Sequence, residues 1–141
     1  GKVKKYVTDF ANPTVAGAPN TLVTPHLGAS TEESEDNCAV MAADEIIDYL
    51  ENGNSRNSVN YPNLSLNAVG TKICIIHKNV PTTLASITTA VGNEGINIEN
   101  MANASKGDFA YTMLDVTGEI PASVEGKINA VDGVIRVRVI G

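Results

Sequence analysis

Lys72-Ile73-Cys74-Ile75-Ile76-His77 is the stretch on which the fold turns. It is a β-rich run with almost no polar alternation, the mark of a central strand. The elements after it arrange themselves around that strand. Pro81 opens a helix through Asn93, with Leu84, Ile87 and Val91 on one face and Glu94-Gly95 at its end. Asn97 to Ala104 reads as extended, Ser105-Lys106-Gly107-Asp108 as a turn, and Phe109 to Val116 as the second strand of a hairpin. Pro121 to Val131 is a second helix, with Pro near its first turn and Val124, Ile128 and Val131 inward. Asp132-Gly133 turns the chain into Val134 to Ile140, where Ile135, Val137 and Val139 alternate with Arg136 and Arg138. The order is βαββαβ. Right-handed crossovers then predict an α+β, ferredoxin-like domain over about residues 71–141, a four-stranded antiparallel sheet with both helices on one face.

Upstream the signal is thinner. A short apolar run, Val3 to Phe10, ends in a Pro- and Gly-containing loop, Asn12 to Asn20. Thr21-Leu22-Val23-Thr24-Pro25-His26 reads as a strand ending at the proline. Ser30 with Glu33 predicts a capping box for a helix whose apolar face is Ala39, Ala42, Ala43, Ile46, Ile47 and Leu50. Asn52-Gly53 supplies its stop. The Asn-, Ser-, Gly- and Pro-rich stretch 52–70 follows as loop, with a short extended piece at Ser58 to Tyr61. Two strands and one helix leave no partner layer large enough to bury their apolar faces. The expectation is an incomplete α/β segment, either cut from a larger domain or completed by another chain.

Composition narrows the function. The 141 residues are 43% apolar and 18% charged, which is ordinary globular material for one domain or two small ones. The formal charge of −6 argues against nucleic-acid binding. The acidity is local: residues 32–51 hold Glu32, Glu33, Glu35, Asp36, Asp44, Glu45, Asp48 and Glu51 and no Lys or Arg. An RNA-binding plait would need exposed aromatics on a basic face, and the second half offers only Phe109 and Tyr111. No run approaches the roughly 18 apolar residues of a membrane span, and no apolar segment follows the basic N-terminal residues as in a signal peptide. Cys38 and Cys74 stand far apart and outside any CxxC spacing, so two free, mostly buried thiols in the reducing cytoplasm are expected. No zinc-ligand pattern, GxSxG, HExxH or GxGxxG is present; no metal site and no self-contained nicotinamide-cofactor site are expected.

The two histidines both stand at strand ends, where α/β proteins display functional groups. His26 precedes Gly28. His77 opens a strand-to-helix loop with Asn79, and such a loop can hold a small zwitterion: polar side chains take its ammonium or hydroxyl, and the helix N-terminus favours its carboxylate.

Thr24-Pro25-His26-Leu27-Gly28-Ala29-Ser30-Thr31 resembles the catalytic-histidine segment of the D-2-hydroxyacid dehydrogenase family. The continuation through Asn57-Ser58-Val59-Asn60 resembles the branch that oxidises 3-phosphoglycerate, and the half from Lys72 resembles the ACT domain at the C-terminus of that branch. The resemblance implies a C-terminal piece: residues 1–62 from the catalytic region, 63–70 a linker, and 71–141 the ACT regulatory domain. It implies NAD as the intact enzyme's cofactor and His26 as the base taking the substrate hydroxyl proton. Asp9 corresponds either to a nicotinamide-contacting Asp or to the acid that orients the histidine. By itself this chain is expected to be catalytically inactive. His77, Asn79 and Asn97 match the family's L-serine-contacting positions, with two ACT domains paired edge to edge, His77 and Asn79 from one and Asn97 from the other. Serine closing that seam would restrain the enzyme, as in feedback inhibition. One departure stands out: Pro81 is followed by Thr82 where the family commonly has Gly. That β-branched residue favours a second reading, a dimerisation module that binds no ligand.

Overall fold

The computed structural model describes residues 2–118 and 120–141. The chain forms two compact units, residues 1–42 and 43–141. The long helix α2, Glu32–Asn52, contributes its first part to one unit and its last part to the other.

In the first unit, strands β1 (Tyr6–Thr8) and β2 (Thr21–Val23) pair in parallel, Val7 opposite Leu22. The expected runs contract to three residues each. Within the expected loop lies a four-residue helix, α1 (Pro13–Ala16), so the segment holds strands plus two helices rather than one. Asn12 caps it by accepting from Val15 N at 2.9 Å, and Pro13 starts it where no N–H is needed. The capping box is not formed. The helix begins one residue later, with Thr31 Oγ1 accepting from Ser34 N at 3.2 Å; position N3 is then Ser34, which has no carboxylate to return. Acids Glu32, Glu33 and Glu35 still occupy the first turn, where the helix dipole favours them. None of the described residues 2–42 is buried, and Val7, Phe10, Leu22 and Leu27 are exposed, as expected of an incomplete layer. Cys38, expected to be buried, is exposed.

The second unit is built on strands β3 (Thr71–Lys78), β4 (Asn97–Lys106), β5 (Phe109–Thr117) and β6 (Val134–Ile140), with helices α3 (Thr83–Gly92) and α4 (Ser123–Asn129). The antiparallel sheet has the order β4-β5-β3-β6, which is the ferredoxin-like arrangement. One face carries Ile73, Ile75, Leu114, Val116 and Val137 against Ile87 and Val91 of α3 and Val124 and Ile128 of α4. A ferredoxin-like plait leaves its other face open. Here Cys74, Tyr111 and Met113 on that face are covered by Tyr49, Leu64 and Leu66. Burial there pushes the Cys74 thiol pKa up, which keeps it a poor nucleophile.

Residues 43–66 are held to that face by polar contacts as well. The last carbonyls of α2 have no helical partners. Arg138 donates to Tyr49 O at 3.2 Å and Leu50 O at 2.9 Å, its guanidinium 4.7 Å from the Tyr49 ring centre. Lys72 Nζ donates to Asn52 O at 2.7 Å, and Tyr111 OH to Gly53 O at 2.6 Å. Gly53 ends the helix at φ 73°, as its sequence position predicts, and lies so close to Cys74 that a Cβ there would strike the sulfur. No strand forms at 58–61. Instead Ser55 and Leu64 exchange backbone bonds of 2.8 and 2.9 Å, Asn57 adopts φ 51°, and the Tyr61 ring meets Phe109 edge-on at 5.9 Å.

Among the described residues, no helix is long and apolar enough to cross a membrane.

Candidate functional site

The first unit puts Asp9 just past β1 and His26 just past β2, at the C-terminal ends of neighbouring parallel strands. Asp9 Oδ2 lies 3.2 Å from His26 Nδ1, both side chains half exposed or more. The Phe10 ring stands edge-on to the imidazole at 5.7 Å. A carboxylate on Nδ1 holds the tautomer that leaves the Nε2 lone pair free to accept a proton.

In the second unit, β3 delivers His77 to the end of the sheet, with a register shift between Ile76 and His77 against β6. The ring is 3% exposed. Its Nδ1 lies 2.9 Å from Lys78 O and its Nε2 2.9 Å from Thr112 Oγ1, so both nitrogens are engaged within the domain. Thr112 Oγ1 in turn lies 2.8 Å from the amide of Asn103 on β4. Asn79 Nδ2 donates to Gly107 O at 3.1 Å and its backbone N to Asp108 O at 2.8 Å, which ties the loop to the β4–β5 turn.

Asn97 is not there. It begins β4 opposite Thr117, at the other end of the strand, with Nδ2 donating to Glu99 Oε1 at 2.7 Å. His77 pairs with Ala110 and that with Ser105, so Asn97 sits about 25 Å away along the strand at ~3.3 Å per residue. One copy therefore brings His77 and Asn79 together and leaves Asn97 apart. Sequence reasoning missed Thr112 and Asn103; their only signal was strand alternation, which sets both on the face that His77 shares.

Thr82 holds φ 72° and ψ −21° at the α3 N-terminus, with its hydroxyl turned to Pro81 O at 2.5 Å and no side-chain cap bond. A left-handed β-branched residue costs about 1–2 kcal/mol, part of which a glycine returns as unfolded-chain entropy. Thr82→Gly is expected to stabilise the domain by roughly 0.5–1 kcal/mol. Thermal melts check this, and a lower Tm would contradict it.

No family model matches the chain. D-3-phosphoglycerate dehydrogenase 1 of Saccharomyces cerevisiae is 34% identical over 105 residues, covering 70% of this chain and 22% of that protein. D-3-phosphoglycerate dehydrogenase of Escherichia coli (strain K12) is 29% identical over 124 residues, covering 86% and 30%. The chain belongs to the D-3-phosphoglycerate dehydrogenase family. It spans between a fifth and a third of the length of these dehydrogenases. Among solved structures, the ACT domain from GTP pyrophosphokinase of Chlorobium tepidum aligns at TM-score 0.45 and 18% identity, over 50% of this chain and 95% of that one. An ACT domain protein from Streptococcus pneumoniae aligns at 0.43 and 14%, over 52% and 89%. The fold assignment rests on the strand order of this chain itself.

Proposed function

We propose that the chain is the C-terminal part of an NAD-dependent D-3-phosphoglycerate dehydrogenase, which oxidises 3-phosphoglycerate to 3-phosphohydroxypyruvate at the entry to L-serine synthesis. Its ACT domain binds L-serine at a seam between two copies and feeds back on the enzyme. Residues 1–62 belong to the catalytic region, 63–70 link, and 71–141 regulate. The enzyme works in the cytoplasm.

One observation carries the serine reading: the proposed contacts sit at opposite ends of β4, and β4 is a sheet edge. Antiparallel pairing of two such edges about a two-fold near Ala102 sets Asn97 of one copy beside the Gly107 turn of the other, where Asn79 is tied. The uncapped first turn of α3 offers N–H groups to the ligand carboxylate. In the intact enzyme His26 Nε2 takes the substrate hydroxyl proton, and Asp9 orients the ring and steadies the imidazolium. NAD supplies the hydride acceptor there. This chain has no glycine-rich phosphate loop and does not by itself hold the cofactor in the usual way.

The test is a calorimetric titration of the chain with L-serine, with D-serine and glycine as controls. Saturable, stereoselective heat is expected, lost in Asn79→Ala. Heat absent up to millimolar L-serine would favour the second reading, a dimerisation module, for which the left-handed Thr82 speaks.

A further inference from the structure

The proton count around His77 points to two residues that complete its site. Lys78 O can only accept, so Nδ1 carries a proton. Thr112 has one hydroxyl proton and two neighbours, His77 Nε2 and the Asn103 amide. The network closes in two ways. With Asn103 Oδ1 facing it, the hydroxyl donates to the amide; Nε2 must then donate to Thr112, and the ring is a cation. That cation would be buried with no carboxylate among its partners. With the amide turned over, Nδ2 donates to Thr112, the hydroxyl donates to Nε2, and every bond is made around a neutral ring. The two ends of an amide have the same shape, so the hydrogen-bond balance decides between them.

We infer that Thr112 is a positioning residue that fixes His77 as the neutral, Nδ1-protonated ring, and that Asn103 is a ligand-binding residue that presents its amide oxygen at the β4 edge to the ammonium group of an amino acid. Asn103 is exposed on β4, while Thr112 is fully buried, so the amide is the outward end of the network. The oxygen accepts N–H bonds from the ammonium, and the α3 N-terminus takes the carboxylate across the same loop. The ligand role of Asn103 rests on the amino-acid reading above; the positioning role of Thr112 does not.

The test uses the full chain labelled with nitrogen-15, with long-range proton–nitrogen spectra of the imidazoles. There are two histidines, and His26→Gln assigns them. The wild type is expected to show a protonated Nδ1 and an unprotonated Nε2 at His77 near neutral pH. Asn103→Asp is decisive: a carboxylate only accepts, so the hydroxyl turns to it, Nε2 becomes a donor, and the ring signals shift to the imidazolium pattern. Asn103→Ala keeps the Nδ1 proton and weakens L-serine at least about tenfold, the scale of one charge-assisted bond. Thr112→Val weakens L-serine likewise and disturbs the ring pattern; Thr112→Ser restores both. An Nε2-protonated or cationic wild-type ring, or a neutral ring in Asn103→Asp, overturns the positioning role. Undiminished serine binding in Asn103→Ala overturns the ligand role. A wild type with the stated ring pattern but no serine binding removes the amino-acid reading, and the ligand role of Asn103 with it, and supports the positioning role alone.

Discussion

Gly70→Ala is expected to destabilise the sheet-bearing unit by about 3 kcal/mol or more, the upper range for overpacking against fixed backbone. A Cβ at Gly70 would overlap the carbonyl oxygen of Val116 and lie 3.3 Å from its carbon. Both belong to β5, which is bonded on both sides, so the clash has no flexible side chain to push away. The chain before β3 must retreat instead. That breaks the bonds from Val69 N and Gly70 N to Asp115, at 3.1 and 3.0 Å. Gly126→Ala is the control. It lies in α4 with nothing within 4 Å of the new methyl, so a gain of up to about 1 kcal/mol is expected there. Urea unfolding of both variants checks the pair. Equal stabilities would contradict the close approach at Gly70.

The second large effect belongs to Asp115. It is fully buried, and its carboxylate accepts from Val69 N, Gly70 N and, at 3.1 Å, Asn100 Nδ2. The register shift between Ile98 and Asn100 brings Asn100 opposite it. The Asn100 amide, then the Val69 backbone amide, hold its pKa below the usual carboxylate value, against the opposing effect of burial. Asp115→Ala strands three donors and is expected to lower Tm by about 10 °C or more. Asp115→Asn keeps an acceptor but turns an N–H₂ toward a donor, and falls between. The pH dependence has a definite sign. A lowered pKa in the folded state gives stability that is fully present above the unfolded value near 3.8 and is lost as pH falls through the lower folded value. The Tm gap between wild type and Asp115→Asn is therefore wide at pH 7 and narrows below pH 4. A gap that widens with acid would contradict this.

The sheet was legible because its elements carry their own signals. Lys72 to His77 read as a central strand and form one, between β5 and β6, and Gly53 and Gly107 stand where left-handed turns require them. Of the apolar positions chosen on α3 and α4, Ile87, Val91, Val124 and Ile128 line the core and Val131 packs against it, while Leu84 is only half-buried. What escaped depends on contacts across long sequence separations. Arg138 reads as a solvent-facing residue of an alternating strand, yet it caps a helix end 88 residues away. Leu64 and Leu66 look like loop residues until the open face of the sheet claims them. Ser30 and Thr31 compete for one cap with the same chemistry, and local sequence does not separate them. At the candidate site, the His77–Asn79 loop was legible as a strand-end site for a small zwitterion, whereas Asn97 came from resemblance. The pairing of Asp9 with His26 was one of two roles left open, and strand alternation, which sets Thr112 and Asn103 on one face, does not by itself connect them to His77.

For the proposed serine site shared between two copies, complementation is the decisive measurement. Chains carrying Asn79→Ala and chains carrying Asn97→Ala are each titrated with L-serine, then unfolded together, refolded and titrated as a mixture. Each alone has one contact missing from every seam site and is expected to bind nothing measurable. Random pairing makes half the dimers mixed, and each mixed dimer has one intact site of two, so the mixture regains about a quarter of the wild-type sites. Binding by either variant alone at wild-type affinity, or a mixed population with no recovered sites, would contradict the account.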